Sequence, residues 1–197
     1  PGWIGHLYSP GAQRGPYHYL PYALDNGAYS AFSNGTEWDE AAWIALLEWA
    51  KMSGQSPERV LVPDVVGDRL RPLRKWDMYA PIAARYGWPL AFAAQDGMTP
   101  ADMPKNAAVA FIGGSTEWKW ASVATWCNAV ERVHVGRVNE YRRLVECKRK
   151  GVKSVDGTGW LRAPDGRQQR GMIAFLEEEH GIKCRAEQGE LCLHGSF

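Results

Sequence analysis

Short apolar runs of strand length alternate along this chain with longer segments of helical period, and that alternation constrains the fold more than any other feature. The runs fall at 3–8, 22–24, 59–62, 90–94, 108–112, 132–135 and 153–155. Helical segments are predicted at 38–52, 69–86, 115–130, 139–150 and 168–180. In the first of these, apolar residues at 42, 43, 46, 47, 49 and 50 follow the 3.6 period. Thr36 or Asp39 is placed to cap its start and Gly54 its end. Gly87, Gly151 and Gly181 stop three of the others, while Pro72 and Pro81 must occupy a first turn or a kink. Repeated strand–helix–strand order implies a parallel sheet with right-handed crossovers. The predicted class is α/β, a compact TIM-like (β/α) barrel with its active site at the C-terminal ends of the strands. An open doubly wound sheet is the alternative. No G-x-G-x-x-G follows the first strand and no G-x-x-x-x-G-K-[ST] occurs, so dinucleotide and P-loop readings lose support.

A chain of 197 residues reads as a single domain, 1–197, with 182–197 a small appendage holding an edge strand at 190–193. The net charge of +1 says little about partners, but its distribution says more. Arg69, Arg71, Arg74 and Lys75 form one basic cluster; Arg137, Arg142, Arg143, Lys148, Arg149, Lys150 and Lys153 form another. Solvated helix faces paired with Glu140 and Glu146 are the default reading, and a nucleic-acid backbone is the sharper one. Most of the ten Trp are expected in packing, with Trp118, Trp120 and Trp160 placed where they could stack on a base. Cys127, Cys147, Cys184 and Cys192 form no C-x-x-C, and Cys184, Cys192 and His194 do not have a usual zinc spacing. Reduced thiols fit a cytoplasmic protein. No segment reads as a signal peptide or membrane span, so neither membrane nor metal is expected.

The residues following each strand carry the functional signal. After the second come Asp25 and Asn26; after the third, Asp64; after the fourth, Gln95, Asp96 and Gly97. Gly113, Gly114 and Ser115 follow the fifth, Gly136 and Arg137 the sixth, Asp156 and Gly157 the seventh. In a βα barrel these converge on one rim, although Asp, Asn and Gly are also ordinary turn residues. Carboxylates and amides match the donor and acceptor edge of a purine-like base. A carboxylate can also attack an anomeric carbon while a second acid handles the leaving group's proton. The inventory therefore suits glycosidic chemistry on a nucleoside. It suits neither a metal nor a serine triad, since the histidines form no ligand-like pair and no G-x-S-x-G is present.

Six motifs in order resemble the tRNA-guanine transglycosylases: Asp25-Asn26-Gly27-Ala28-Tyr29, Pro63-Asp64-Val65, Ala94-Gln95-Asp96-Gly97, Ile112-Gly113-Gly114, His134-Val135-Gly136-Arg137 and Val155-Asp156-Gly157. They are most similar to the compact phage and bacterial branch that places 7-deazaguanine bases in DNA. The resemblance implies a modified βα barrel with no cofactor. It makes Asp156 the nucleophile that attacks C1′ and holds the sugar covalently, and Asp25 the general acid/base. Asp64, Gln95, Gly113 and Gly114 would recognise the base, with Asn26 beside them; apart from the resemblance, the charges of Arg137 and the Arg142–Arg143 pair could hold phosphate. The implied partners are DNA, with tRNA second, and a 7-deazaguanine base. The larger tRNA enzymes carry a C-x-C-x-x-C…H zinc insertion that has no counterpart here, and Ser-Gly-Gly-Phe where this chain has Asn-Gly-Ala-Tyr. The competing readings are an N-glycosidase that passes the sugar to water, and a barrel that binds nucleobase or nucleic acid without chemistry.

Overall fold

Strands buried on both faces must be apolar along their whole length, and β4 (Leu90–Ala94) shows it, with all five residues buried. The structure, a computed structural model, describes residues 4–12, 14–162, 166–180, 184–187 and 190–193. The chain divides into two compact units, 1–134 and 135–197, with the boundary inside β6 (Val133–Val135).

In the first unit, β1 (His6–Tyr8), β2 (Tyr22–Leu24), β3 (Val60–Leu61), β4 and β5 (Val109–Ile112) pair in chain order, each parallel to the next. His6 stands opposite Tyr22, Leu24 opposite Val60, Val60 opposite Leu90 and Ala91 opposite Val109. The start of β6 follows β5, where the Ala110 amide donates to the Arg132 carbonyl at 2.9 Å. Four helices connect these strands: α1 (Ala28–Asn34), α2 (Glu40–Met52), α3 (Arg71–Ala84) and α4 (Thr116–Ala129). Asp39 caps α2 by accepting from the Ala42 amide, as the sequence offered, and Ser115 caps α4. Pro72 sits in the first turn of α3, and Pro81 lies inside the helix. The sequence reading missed α1, because its seven residues begin inside the motif taken as a ligand loop.

Alternation along the strands separates two packing layers. Phe92 meets Trp76 of α3 edge-on at 5.6 Å, while Ala91 and Ala93 cluster with Leu61 and Val109, and Phe111 packs against them. Trp43 of α2 is fully buried and meets Tyr79 of α3 edge-on at 5.8 Å. Truncating such a ring to Ala costs roughly 3–5 kcal/mol. Lys75 covers the outer side of this cluster, its ammonium 4.6 Å from the Trp38 ring centre and 5.0 Å from that of Tyr79. None of the nine described Trp is exposed, and Trp160 is buried, so packing claims most of them.

The second unit holds the end of β6, α5 (Tyr141–Arg149), β7 (Ser154–Val155), α6 (Gly159–Arg162) and α7 (Arg167–His180). An antiparallel hairpin follows, β8 (Cys184–Glu187) with β9 (Glu190–Leu193), where the edge strand was expected. β7 lies beside the end of β6, the Asp156 amide donating to the Val135 carbonyl at 3.2 Å. α5 buries Leu144 and Cys147, and α7 packs on α5 and α6.

Five residues of the basic clusters pair with carboxylates. Arg71 pairs with Asp68 and Arg69 with Asp102. Arg142 pairs with Glu140, and Arg143 and Lys150 with Glu146. These are the glutamates that the default reading named. Among the described residues Cys127, half-buried, and Cys147, buried, form no disulfide; His194 and Gly181 lie outside the described residues. Among the described residues no helix is long and apolar enough to cross a membrane, and no three His, Cys, Asp or Glu side chains group as metal ligands.

Candidate active site

The turn after β2 builds the centre of the first unit's polar cluster. Asp25 is half-buried, and its backbone amide donates to the Tyr8 carbonyl at 2.7 Å, anchoring it beside β1. Its carboxylate accepts from the Ser9 hydroxyl at 3.1 Å and from the Asn26 amide at 2.9 Å. Asn26 is buried and works in three directions. Its Oδ1 accepts from the Ala28 amide at the start of α1, while its Nδ2 donates to the Val62 carbonyl at 3.0 Å and to Asp64 Oδ1 at 2.8 Å. Its backbone carbonyl accepts from the Trp38 indole at 2.7 Å. Gly27, at φ +76, turns the chain here with Pro10 only 3.0 Å from where a Cβ would stand.

Asp64 is 8% exposed, and its second oxygen accepts from Gln95 Nε2 at 2.5 Å. Gln95 Oε1 in turn accepts from the backbone amides of Gly67, at 3.1 Å, and Gly114, at 3.0 Å. Burial pushes the Asp64 carboxyl up to about 6. The Asn26 and Gln95 hydrogen bonds oppose that rise, and the neighbouring Asp25 charge adds to it. Desolvation wins because two amide donors do not replace the hydration of a buried anion.

Gly113 and Gly114 are buried, and the cluster explains both. A Cβ on Gly113 would stand 2.8 Å from Gln95 Nε2. One on Gly114 would stand 2.5 Å from the Trp118 ring and 2.7 Å from Asp96 Oδ2. Asp96 accepts from both the amide and the hydroxyl of Ser115, clamping the start of α4. One connected network thus joins the turns after β2, β3, β4 and β5.

The second unit presents Asp156 directly after β7. The backbone amide of Arg137 donates to Asp156 Oδ1 at 3.0 Å, and the Val138 amide donates to the Asp156 carbonyl at 2.6 Å. Arg137 has φ +58, the left-handed region, and is the one described non-glycine residue there. Such a backbone costs on the order of 1–2 kcal/mol and persists where surrounding bonds over-determine it. Gly157 and Gly159 are obligatory for close approach: Cβ atoms there would stand 2.4 Å from the Val138 carbonyl oxygen and 2.9 Å from the Asn139 amide oxygen, respectively. Asn139 Oδ1 also accepts from the Gly159 amide at 2.9 Å. The Asp156 turn is fastened to 137–139 at several points.

Asp25, Asn26, Asp64, Gln95, Gly113 and Gly114 therefore belong to one network in the first unit, and Arg137 and Asp156 to another in the second. Ser9 was missed as a ligand of Asp25. Its signal was available, since it follows the first strand just as Asp25 follows the second. Gly67 and Met98 were also missed; the Met98 sulfur accepts from the Gln95 amide at 3.3 Å.

Parallel strands alternating with helices, with carboxyls and amides gathered at strand ends, define an α/β protein of the TIM-barrel-like class. A chain of the tryptophan synthase complex from Pyrococcus furiosus is similar in fold, with TM-score 0.51 and 19% identity over 83% of this chain and 67% of that one. A second structure of that complex, concerned with its mutual activation, gives TM-score 0.49 and 16% identity over 83% and 66%. The chain spans about two thirds of the length of these neighbours, and the likeness is one of fold alone. No family model matches the chain, and no curated protein matches its sequence.

Proposed function

We propose that the chain is a base-exchange glycosyltransferase that replaces guanine by a 7-deazaguanine derivative in DNA. The observation that carries the reading is the Asp25–Asp64 pair. A half-buried carboxylate stands beside a buried carboxyl whose pKa is about 6, so the cluster can hold and exchange a proton near neutrality. The ordered motifs that resemble the tRNA-guanine transglycosylases add the polymer substrate and the roles.

In the first half-reaction the Asp156 carboxylate attacks C1′ of a deoxyguanosine. A C1′–O ester forms, the C1′–N9 bond breaks, and guanine leaves with a proton from Asp25. In the second half, Asp25 takes the N9 proton of the incoming base, whose nitrogen displaces Asp156 from C1′. Double displacement retains configuration. Asp64, Gln95 and the Gly113–Gly114 backbone form the wall for the base, with Asn26 tying Asp25 to it. Arg137 holds a phosphate.

Mass spectrometry of the protein incubated with DNA tests this, with an adduct on Asp156 expected. Labelled guanine should enter DNA without base loss, and Asp156→Ala should abolish both signals while the protein remains folded. Abasic sites would convert the reading to an N-glycosidase. Label entering tRNA but not DNA would convert it to the RNA enzyme. Absence of both adduct and exchange would end it.

A further inference from the structure

The first 24 residues contain no Asp or Glu, yet they carry Arg14, His6, His18 and four of the eight Tyr. In the first unit these side chains are ordered as a ladder. The His6 and Tyr17 rings stack with centroids 6.0 Å apart and planes 24° apart. Tyr17 and Tyr19 stack at 5.6 Å and 27°. His18 stands edge-on to Tyr19 at 5.3 Å. Below the ladder the Tyr8 hydroxyl bonds His6 Nδ1 at 3.1 Å. Beside it opens a cleft of about 520 Å³ lined by His6, Tyr8, Gly11, Ala12, Arg14 and Tyr17.

Two contrasts separate this ladder from core packing. The half-buried Trp38 and the buried Trp43 and Tyr79 rings meet tilted or edge-on, at 53° to 82°, as interlocking side chains do. The His6–Tyr17 and Tyr17–Tyr19 pairs are close to parallel, at 24° and 27°, and Tyr19 is 67% exposed, which leaves flat ring surface in water. The second contrast is charge: an uninterrupted stretch without carboxylates, with Arg14 exposed at the cleft.

We propose that this ladder binds an unpaired stretch of nucleic acid, with a base stacking on Tyr19 at the exposed end of the ladder and a phosphate held by Arg14. Stacking needs flat faces and tolerates any base, and a cation beside the faces tracks the backbone. An acidic peptide would use the cation but not the stacked faces. The ladder stands on the connection whose first residue, Ser9, donates to Asp25, so a strand held here leads to the candidate site. An enzyme that reaches C1′ within a duplex must unpair the target nucleotide, and its unpaired neighbours need a surface. The binding itself rests on the ladder and not on the chemistry at Asp156.

Fluorescence anisotropy with a labelled single-stranded oligo(dT) tests it. Tyr19→Ala should weaken binding about five- to 150-fold while Tyr19→Phe restores it. Arg14→Ala should lower the slope of log affinity against log salt by about 0.7. Unchanged melting temperatures certify the variants. Wild-type affinity in both Tyr19→Ala and Arg14→Ala would overturn the proposal, as would displacement by polyglutamate as effective as that by unlabelled oligo(dT). If exchange is absent but the ladder variants still lose binding, this proposal stands and the glycosyltransferase reading falls.

Discussion

Asn26 Nδ2 donates to Asp64 Oδ1 at 2.8 Å, joining residues 38 positions apart and linking the turn after β2 to the turn after β3. The same Asn26 gives its backbone amide to Asp25. One buried asparagine thereby holds two carboxyl groups in a fixed relation, and several expectations depend on it.

Asp64 should make stability depend on pH with an unusual sign. Its native pKa, about 6, lies above the ordinary 3.8, so between those values the native state holds a proton that the unfolded chain releases. Stability from this group is present in full below about pH 4 and falls as pH rises to about 6, by about 3 kcal/mol. Urea unfolding from pH 3.5 to 7.5 checks it. Asp64→Asn should lose this component, and a constant wild-type-minus-variant difference across the range would refute the assignment.

Gln95 should be costly to truncate. Gln95→Ala releases the Gly67 and Gly114 amides and removes the donor to Asp64. Gly67 is exposed, so water takes over its bond; the buried Gly114 amide and Asp64 carboxyl carry the cost at about 1–3 kcal/mol each, and a loss of about 2–4 kcal/mol is expected in chemical denaturation. A loss below about 1 kcal/mol would mean that water replaces the side chain.

Two glycines with similar backbones should separate. Gly54 and Gly114 have φ +71 and +61, but a Cβ on Gly54 meets nothing within 4 Å, whereas one on Gly114 meets Trp118 at 2.5 Å. Gly54→Ala should cost about 1 kcal/mol, from backbone strain alone. Gly114→Ala should cost a further 1–3 kcal/mol through displacement of Trp118 and Asp96. Thermal unfolding of the two variants side by side decides it, and equal costs would argue against the tight packing.

At Arg137 the backbone and the side chain can be tested apart. Arg137→Gly and Arg137→Ala both delete the guanidinium and keep the amide that donates to Asp156. Only glycine relaxes the φ of +58, so it should be the more stable variant by about 1 kcal/mol. Arg137→Pro removes the donor and forbids the conformation; it should be the least stable of the three and should lose any Asp156 adduct.

Much of the fold was legible because parallel strands covered on both faces need unbroken apolar runs. The runs at 22–24 and 90–94 coincide with β2 and β4, and the others come within three residues at either end. Helix starts were readable where a side chain does the capping, as at Asp39, and where glycine ends the helix, as at Gly54. Helix α1 was not, since its N-cap is Gly27, which has no side chain, and its first amide goes to Asn26 in a turn that also serves the cluster. The strand-end residues were readable as a set, but their bonding was not. Asp64 and Gln95 satisfy one another at 2.5 Å, and Gly113 is small because Gln95 lies against it.

The sequence by itself determined the order of strands and helices and which residues stand at each strand end, because periodicity and capping are local properties of the chain. The tertiary structure alone decided which of those residues share a hydrogen-bond network and how their acidity responds. Asp25 and Asp64 have similar surroundings in sequence. Burial and the neighbouring Asp25 charge lift the Asp64 pKa to about 6 against the opposing Asn26 and Gln95 hydrogen bonds, and only the folded chain brings these groups together from three separate turns.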